Sequence, residues 1–416
     1  MAHDNVLRWL RDDPEPTKFP YAPVVAAFHE VGKHFVDDEL LGALELARKA
    51  VARAPDPYGS ATLLRDFLDT ALDKRDGRYD YPSYTALTLL PMPSLDDPPE
   101  QLPHALRRRD RLTVQLLADL IGFESASAAD PAGTILPRLR PDPRTVAKRY
   151  RLAMHAAAPA LRRLGLAVSV SATGPEPAAR QLMLAVAPEQ SALDRLILRV
   201  SMLPVYVMHD EYLFIRVLQL FETTFATIAV QLRGVVQALA LQDPPTATRY
   251  LRLCEGMLRE SAPLFSLLAT MQVESFRTFR EYTEGASAIQ SRSYKVMESM
   301  CRRPDDERLY SPAYLSVPEV RQRVLDGTVT LDDIFGVVRA AGWLTAGDEH
   351  DLVTAMEAFA RTLIRWRTTH YRLAVRMLGQ RSGTGYTEGT PYLRSVQKIP
   401  VFGSVENSEG DVLDSF

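Results

Sequence analysis

Four stretches of this 416-residue chain carry residue types at spacings that could do chemistry. Toward the C-terminus, Met356, Phe359, Leu363, Trp366, His370, Leu373 and Met377 follow one another at intervals of three or four. That is the spacing of one helix face, so a lone histidine sits in the middle of an apolar stripe. It reads either as a core histidine satisfied by its neighbours or as an axial ligand to a haem. A buried porphyrin needs an imidazole on an apolar wall. Nothing nearby would complete a zinc site, so a metal held only by side chains does not fit.

A second stretch, MHDEYLFIRVLQLFETTF at 208–225, puts Phe214, Leu218, Phe221 and Phe225 on one face, with Tyr212 and Ile215 beside them. His209, Asp210 and Glu211 suggest a metal at first sight, but adjacent residues on a helix point in different directions. Acidic residues in a first turn complement the helix dipole, and that is the simpler reading. In ESFRTFREYTEGASAIQS at 274–291, Phe276 and Arg280 are four apart and share a face. An arginine beside an aromatic ring can grip a carboxylate with a two-pronged hydrogen bond while the ring packs a flat substrate. Alone, Arg280 reads equally as a surface partner of Glu284. The loop RSGTGYTEGTPYLRS at 381–395 has glycines at 383, 385 and 389, yet it follows a helix and lacks a closing Lys-Ser/Thr pair. It is not a phosphate loop; a lid over a small ligand suits it better.

The elements that must hold these residues are helical. Apolar residues recur at intervals of three or four almost throughout, and period-two runs are scarce. Residues 1–76 predict two or three helices broken at Pro14, Pro20 and Pro55, followed by a turn-rich segment at 77–94. Residues 95–200 are proline-rich, with basic clusters at Arg107, Arg108, Arg109 and Arg111 and from Arg138 to Arg151. These read as solvated helix faces shared with Asp110 and Asp142, or as the site of an anionic ligand. A long helix is expected from Val205 to about Leu241, a second over 246–271 and a third over 351–379. Thr330-Leu-Asp-Asp333 has the form of a capping box.

Composition narrows the class. Hydrophobic residues make up 46% and charged residues 24%, ordinary globular proportions. The two cysteines, Cys254 and Cys301, are in no CxxC, which argues against a disulfide scaffold. A net charge of −3 offers no field for nucleic acid. The longest apolar run, Thr223 to Leu241, is interrupted by Gln231 and Arg233. The charged N-terminus has no signal-peptide core. A cytoplasmic protein without membrane or nucleic-acid partners is expected.

Taken in order, the motifs resemble the tryptophan 2,3-dioxygenase family, the haem-dependent oxygenases that open the indole ring. HDEYLFI resembles the family's HDE-x-LFI helix, and FREY followed by ASAIQS resembles its FR-[DE]-Y and SPASGFQS segments. WRTTHYRLAVRMLGQRSGTG is similar to its WR-x-x-H, RM-[IL]-G and GTG helix and loop, and GTPYLR to its downstream YLR. The matches run over residues 205–396, about half of the chain.

The resemblance implies haem b as cofactor, with His370 the iron's axial ligand. Arg280 would grip the substrate carboxylate and Thr384 would meet the amino-acid end from the loop. Phe214 and Phe276 would line an aromatic pocket, with Ser287 close to the ligand. Tyr81 and Tyr84 in YPSY resemble a Tyr-x-x-Tyr pair that family members donate to a neighbouring subunit. Three departures stand out. Leu218 occupies the place of the family's distal histidine, Ala288 and Ile289 replace a glycine and phenylalanine, and the loop carries Tyr386 and Glu388. No side chain is thereby assigned to catalysis with certainty.

The expectation is an all-α protein: an oxygenase core at 201–402 built as a haem-binding helical bundle, preceded by additional helical regions at 1–94 and 95–200 and followed by an acidic tail at 403–416. Its partners would be dioxygen and an aromatic amino acid or indole, in a dimer or tetramer. Cleavage of the indole C2–C3 bond in a secondary-metabolic pathway is the leading reaction. A haem monooxygenase or hydroxylase is the alternative, and a haem-binding sensor without turnover is the rival from another class.

Overall fold

The computed structural model describes residues 1–12, 14–56, 59–98, 101–130, 133–168, 174–379 and 390–405. Among them regular structure is helical throughout; the one β-type pairing is an isolated parallel bridge between Arg138 and Met208. The all-α expectation therefore holds. The chain divides into two compact units that interleave in sequence. The first comprises Met1–Pro91, Arg111–Leu220 and Ser266–Ala288, the second Met92–Asp110, Phe221–Phe265 and Ile289–Phe416.

The first unit begins with four helices rather than two or three: Ala2–Arg11, Tyr21–Val31, Asp38–Val51 and Ser60–Ala71. They bury Val6, Phe28, Leu44 and Phe67 completely in a common core. The additional break is at Gly32, where φ is +86°, a conformation that favours glycine. The backbone there runs against another segment: Lys33 N–H donates to Pro204 O (2.8 Å) and His34 N–H to Val205 O (3.2 Å). A Cβ at position 32 would lie 2.6 Å from Tyr206 Cα and 2.7 Å from Val205 O. Gly32→Ala is therefore expected to destabilise the first unit by about 2 kcal/mol or more, adding a clash to left-handed strain. A thermal midpoint within a degree of the parent's would contradict this.

The same unit contains most of Leu102–Ala129, all of Pro143–Leu164, Pro175–Val186 and Ala192–Val200, residues 209–220 of His209–Ala240, and Val273–Thr283. Phe123 stacks face to face on Tyr212, with centroids 3.9 Å apart and planes 1° apart.

The second unit holds the rest of His209–Ala240, Pro244–Glu260, Arg292–Cys301, Leu331–Ala340, Ala346–Leu378 and Thr390–Val396. The single helix expected over 246–271 is broken at Ser261, between Pro244–Glu260 and Ala262–Leu268. Pro263 lacks an N–H and suits only a first turn, so the helix restarts there. Thr330 and Asp333 do form the expected capping box. Ala346–Leu378 begins five residues earlier than expected, because the Thr345 hydroxyl caps Asp348 N–H. Its 33 residues span about 50 Å. Pro244–Glu260 packs along it, with Thr362 Oγ1 donating to Glu255 (3.1 Å).

Among the described residues, His209–Ala240 is the one helix long and apolar enough to cross a membrane, and 89% of its most apolar window is buried inside the protein.

Candidate functional site

The first unit builds an aromatic wall with a cation on it. From His209 to Leu232 every residue is buried except Phe214 and Leu218, which are partly accessible and, being four apart, share a face. Phe276 and Arg280 on Val273–Thr283 are likewise partly accessible and four apart. The Phe214 ring lies 5.6 Å from Phe276 and 5.3 Å from Phe279, and Phe279 is fully buried behind them. Aromatic rings at such separations hold one another in edge-to-face or tilted packing. The spacing argument thus brings Phe214, Leu218, Phe276 and Arg280 to accessible positions. It missed Phe279, whose signal was its three-residue spacing from Phe276.

Tyr81 and Tyr84 lie on a single turn, Tyr81–Tyr84, capped by Asp80 accepting from Ser83 N–H (2.8 Å). Both are buried. Tyr84 packs on Phe214 of its own chain, with centroids 6.4 Å apart, and donates from its hydroxyl to Glu211 Oε1 (3.3 Å). The close passage of Gly285 over this segment, where a Cβ would meet Tyr79 O at 2.9 Å, brings the 77–84 turn against the loop that carries Ser287. Ser287 itself is half-buried.

His209, Asp210 and Glu211 have a structural use that helix-start polarity did not anticipate. Arg149, 1% exposed, donates from Nη1 to Glu124 Oε1 (2.6 Å), from Nη2 to Asp210 Oδ1 and from Nε to Thr270 Oγ1 (3.0 Å). His209 Nε2 pairs with Glu124 Oε2 (3.0 Å), and Gln272 N–H donates to Asp210 Oδ2 (2.8 Å). Burial would raise Glu124, but His209 and Arg149 hold it below its ordinary value. Glu211 accepts from Val205 N–H (2.6 Å) and Tyr206 N–H (3.1 Å); burial nonetheless pushes it up to about 8. One turn on, Arg216 donates from Nε to Asp119 Oδ2 (2.7 Å), which also accepts from Tyr212 Oη (2.6 Å). The basic residues of 138–151 are therefore not all solvated. Arg149 is the hub that ties 124, 210 and 270–272 together and so fixes where Val273–Thr283 begins. Arg109 in the other basic cluster is also buried, paired with Asp110 and Glu260.

The second unit builds a wall around His370. Along the apolar stripe Met356, Phe359, Leu363 and Met377 are buried, whereas Trp366, His370 and Leu373 are partly accessible. Trp366 sits among Phe221, Phe225, Phe265 and Tyr294 at centroid distances of 5.5, 5.1, 5.2 and 5.8 Å. His370 lies 5.3 Å from Trp366 and 6.3 Å from Phe265. Behind Trp366, Arg367 donates to Tyr294 Oη (2.8 Å), Ile399 O (2.6 Å) and Glu298 Oε1 (3.2 Å).

The residues around His370 fit a haem. Burial pushes its imidazole down to about 4, so a ring nitrogen keeps its lone pair at neutral pH, as metal ligation requires. No hydrogen bond from a described residue reaches that ring, and the buried Trp366 Nε1–H beside it has no acceptor among the described residues. No group of three or more His, Cys, Asp or Glu side chains able to hold a metal exists among the described residues. The donor set is thus a lone neutral imidazole on an aromatic wall, which would suit an iron whose remaining ligands are supplied by a porphyrin. Thr384, Tyr386 and Glu388 lie outside the described residues.

No protein-family model matches the chain. It is similar to the tryptophan 2,3-dioxygenase of Anaeromyxobacter dehalogenans strain 2CP-C, 28% identical over 223 residues that cover 47% of this chain and 84% of that protein. The tryptophan 2,3-dioxygenase of Anaeromyxobacter sp. strain K is 26% identical with the same coverage. That of Burkholderia lata is 24% identical over 233 residues, covering 47% of this chain and 73% of its own length.

Proposed function

We propose that this chain, a divergent relative of the tryptophan 2,3-dioxygenases, is a haem-dependent oxygenase acting on tryptophan or a tryptophan-derived indole and cleaving the ring between C2 and C3. The observation that carries the reading is His370, neutral and without a hydrogen bond from any described residue, on a partly accessible aromatic wall. Haem b held there would supply the redox chemistry with dioxygen that no side chain can provide.

The chain's own residues would do the rest. Phe214 and Phe276 offer flat apolar surface for an indole, and Leu218 completes it without a polar group. Arg280, on the face it shares with Phe276, would take the substrate carboxylate in its planar fork. Orientation by such a clamp lowers the entropic part of the barrier. Thr384, from the loop after Ala346–Leu378, would meet the amino-acid end. Leu218 also supports a second reading. With no side chain there to accept the indole N–H, a less polar aromatic substrate would be held as well, and the reaction would be a hydroxylation inserting one oxygen atom.

The test is the absorption spectrum of haem-supplemented protein in the ferrous state, with and without L-tryptophan. A Soret band that shifts with tryptophan supports the proposal, and absence of a Soret band ends it. Product mass separates ring cleavage, which retains two oxygen atoms, from hydroxylation, which retains one. For the clamp, Arg280→Lys keeps the charge and loses the fork. KM is expected to rise about 10-fold or more, the equivalent of one charged hydrogen bond, with a smaller effect on kcat. An unchanged KM would remove Arg280 from that role.

A further inference from the structure

In the second unit a buried charge cluster stands behind the His370 wall. Glu298 is the carboxylate at its centre. Arg308 grips it as a fork (Nε to Oε2 3.0 Å, Nη2 to Oε1 2.8 Å), Arg367 Nη2 donates to Oε1 (3.2 Å), and Tyr314 Oη donates to Oε2 (3.0 Å). Lys295, 3% exposed, adds a third cation, its ammonium 5.1 Å from the Tyr294 ring centroid and 5.9 Å from that of Tyr314. Three cations thus face two buried carboxylates, Glu298 bonded within the cluster and Glu222 near Lys295. The cluster is linked to His370 by packed rings: Tyr294 on Trp366 at 5.8 Å, and Trp366 on His370 at 5.3 Å. Arg367 is also one helical turn from His370 on Ala346–Leu378.

Charges held in a dry interior act over such distances far more strongly than in water. Adding one electron to a ferric haem lowers the charge of the iron by one, and a positive field favours that reduced state. We propose, resting on the haem reading above, that Lys295 is a positioning residue of this field: its ammonium raises the reduction potential of an iron held at His370. Among the described residues Lys295 makes no hydrogen bond or ion pair with His370, so its effect there is electrostatic.

The cluster makes the effect titratable. Burial pushes Lys295 down to about 7, opposed by Glu298 and Glu222 and aided by Arg308 and Arg367. The groups facing it are therefore Tyr294 and Glu298 on its own helix, Arg308, Tyr314, Arg367 and Glu222, and burial pushes Tyr294 up to about 12 so that it stays protonated. The two arginines stay charged, and burial with Glu298 adjacent keeps Tyr314 protonated. Glu298 stays ionised: burial would raise it, but Arg308, Lys295 and Arg367 hold it down to about 2. Lys295 is the member whose charge changes near neutrality. Its ammonium is present below about 7 and lost above, so the potential should fall as pH rises through that value.

The experiment is a spectroelectrochemical titration of the haem-loaded protein and of Lys295→Met, a change that keeps the stem volume, between pH 5.5 and 8.5. The parent should show a falling step centred near 7, and the variant a flat, lower potential at acid pH. In the haem-free protein, carbon NMR of lysine Cε, tractable with only seven lysines in the chain, should show one group titrating near 7 that disappears in Lys295→Met. Identical potentials and pH dependence in the two haem-loaded proteins would overturn the inference while leaving the functional reading standing. A chain that takes up no haem would sink both.

Discussion

Replacing His370 by alanine is expected to abolish haem binding while leaving the fold intact. No hydrogen bond from a described residue reaches the imidazole, and it is partly accessible on a helix in which alanine is the best-tolerated residue. The ring contacts it loses among the described residues are those to Trp366 and Phe265. A satisfied core histidine would behave otherwise, because its removal strands a partner. Loss of even an outer-shell contact typically costs a metal site about 10- to 100-fold in affinity. Loss of the ligand itself should exceed about 100-fold. The measurement is a haem titration followed at the Soret band, with far-ultraviolet circular dichroism as the control for folding. Addition of free imidazole to the variant should restore part of the band, since it returns the nitrogen without the side chain. A variant that keeps the Soret position and intensity of the parent would remove His370 as the ligand.

The second large effect is on stability. Arg149→Met leaves the Glu124 and Asp210 carboxylates, both buried, without the cation that bridges them. Breaking a buried ion pair from one side costs about 3–5 kcal/mol. The loss should appear as a lower denaturant midpoint for the unit containing residues 111–220. Its pH dependence has a definite sign. Glu124 is held below its ordinary value in the folded protein, so its stabilising contribution is present above the usual carboxylate range and is lost as pH falls through the folded value. The variant should be relatively less impaired in acid, where the stranded Glu124 carboxylate can protonate. A cost below about 1 kcal/mol would mean that the network is solvated after all.

Features encoded within a few residues were legible in the sequence. The 330–333 capping box is complete in its own four residues, and the His370 stripe needed only helical spacing. Phe276 and Arg280 share a face for the same reason. Features set by distant segments were not legible. The break at Gly32 exists because residues 204–206 run against it, and no local signal names that partner. Arg149 looked like one more exposed arginine in a basic run until Glu124 and Asp210, 25 and 61 residues away, were brought to it. Arg367 was hidden one position off the stripe, and its acceptors at Glu298 and Ile399 lie far from it in sequence.

The contacts made by residues 111–200 also define what can be cut from this protein. The recognisable motifs begin near residue 205, which invites a fragment starting there. Such a fragment would carry His209, Asp210, Tyr212 and Arg216 without Glu124, Arg149, Asp119 and Phe123. Each of those side chains would be left on the first turns of a helix that has lost its polar counterpart and its stacking ring. A homologous exchange between this chain and a shorter relative would therefore have to move the upstream segment and the motif-bearing one together.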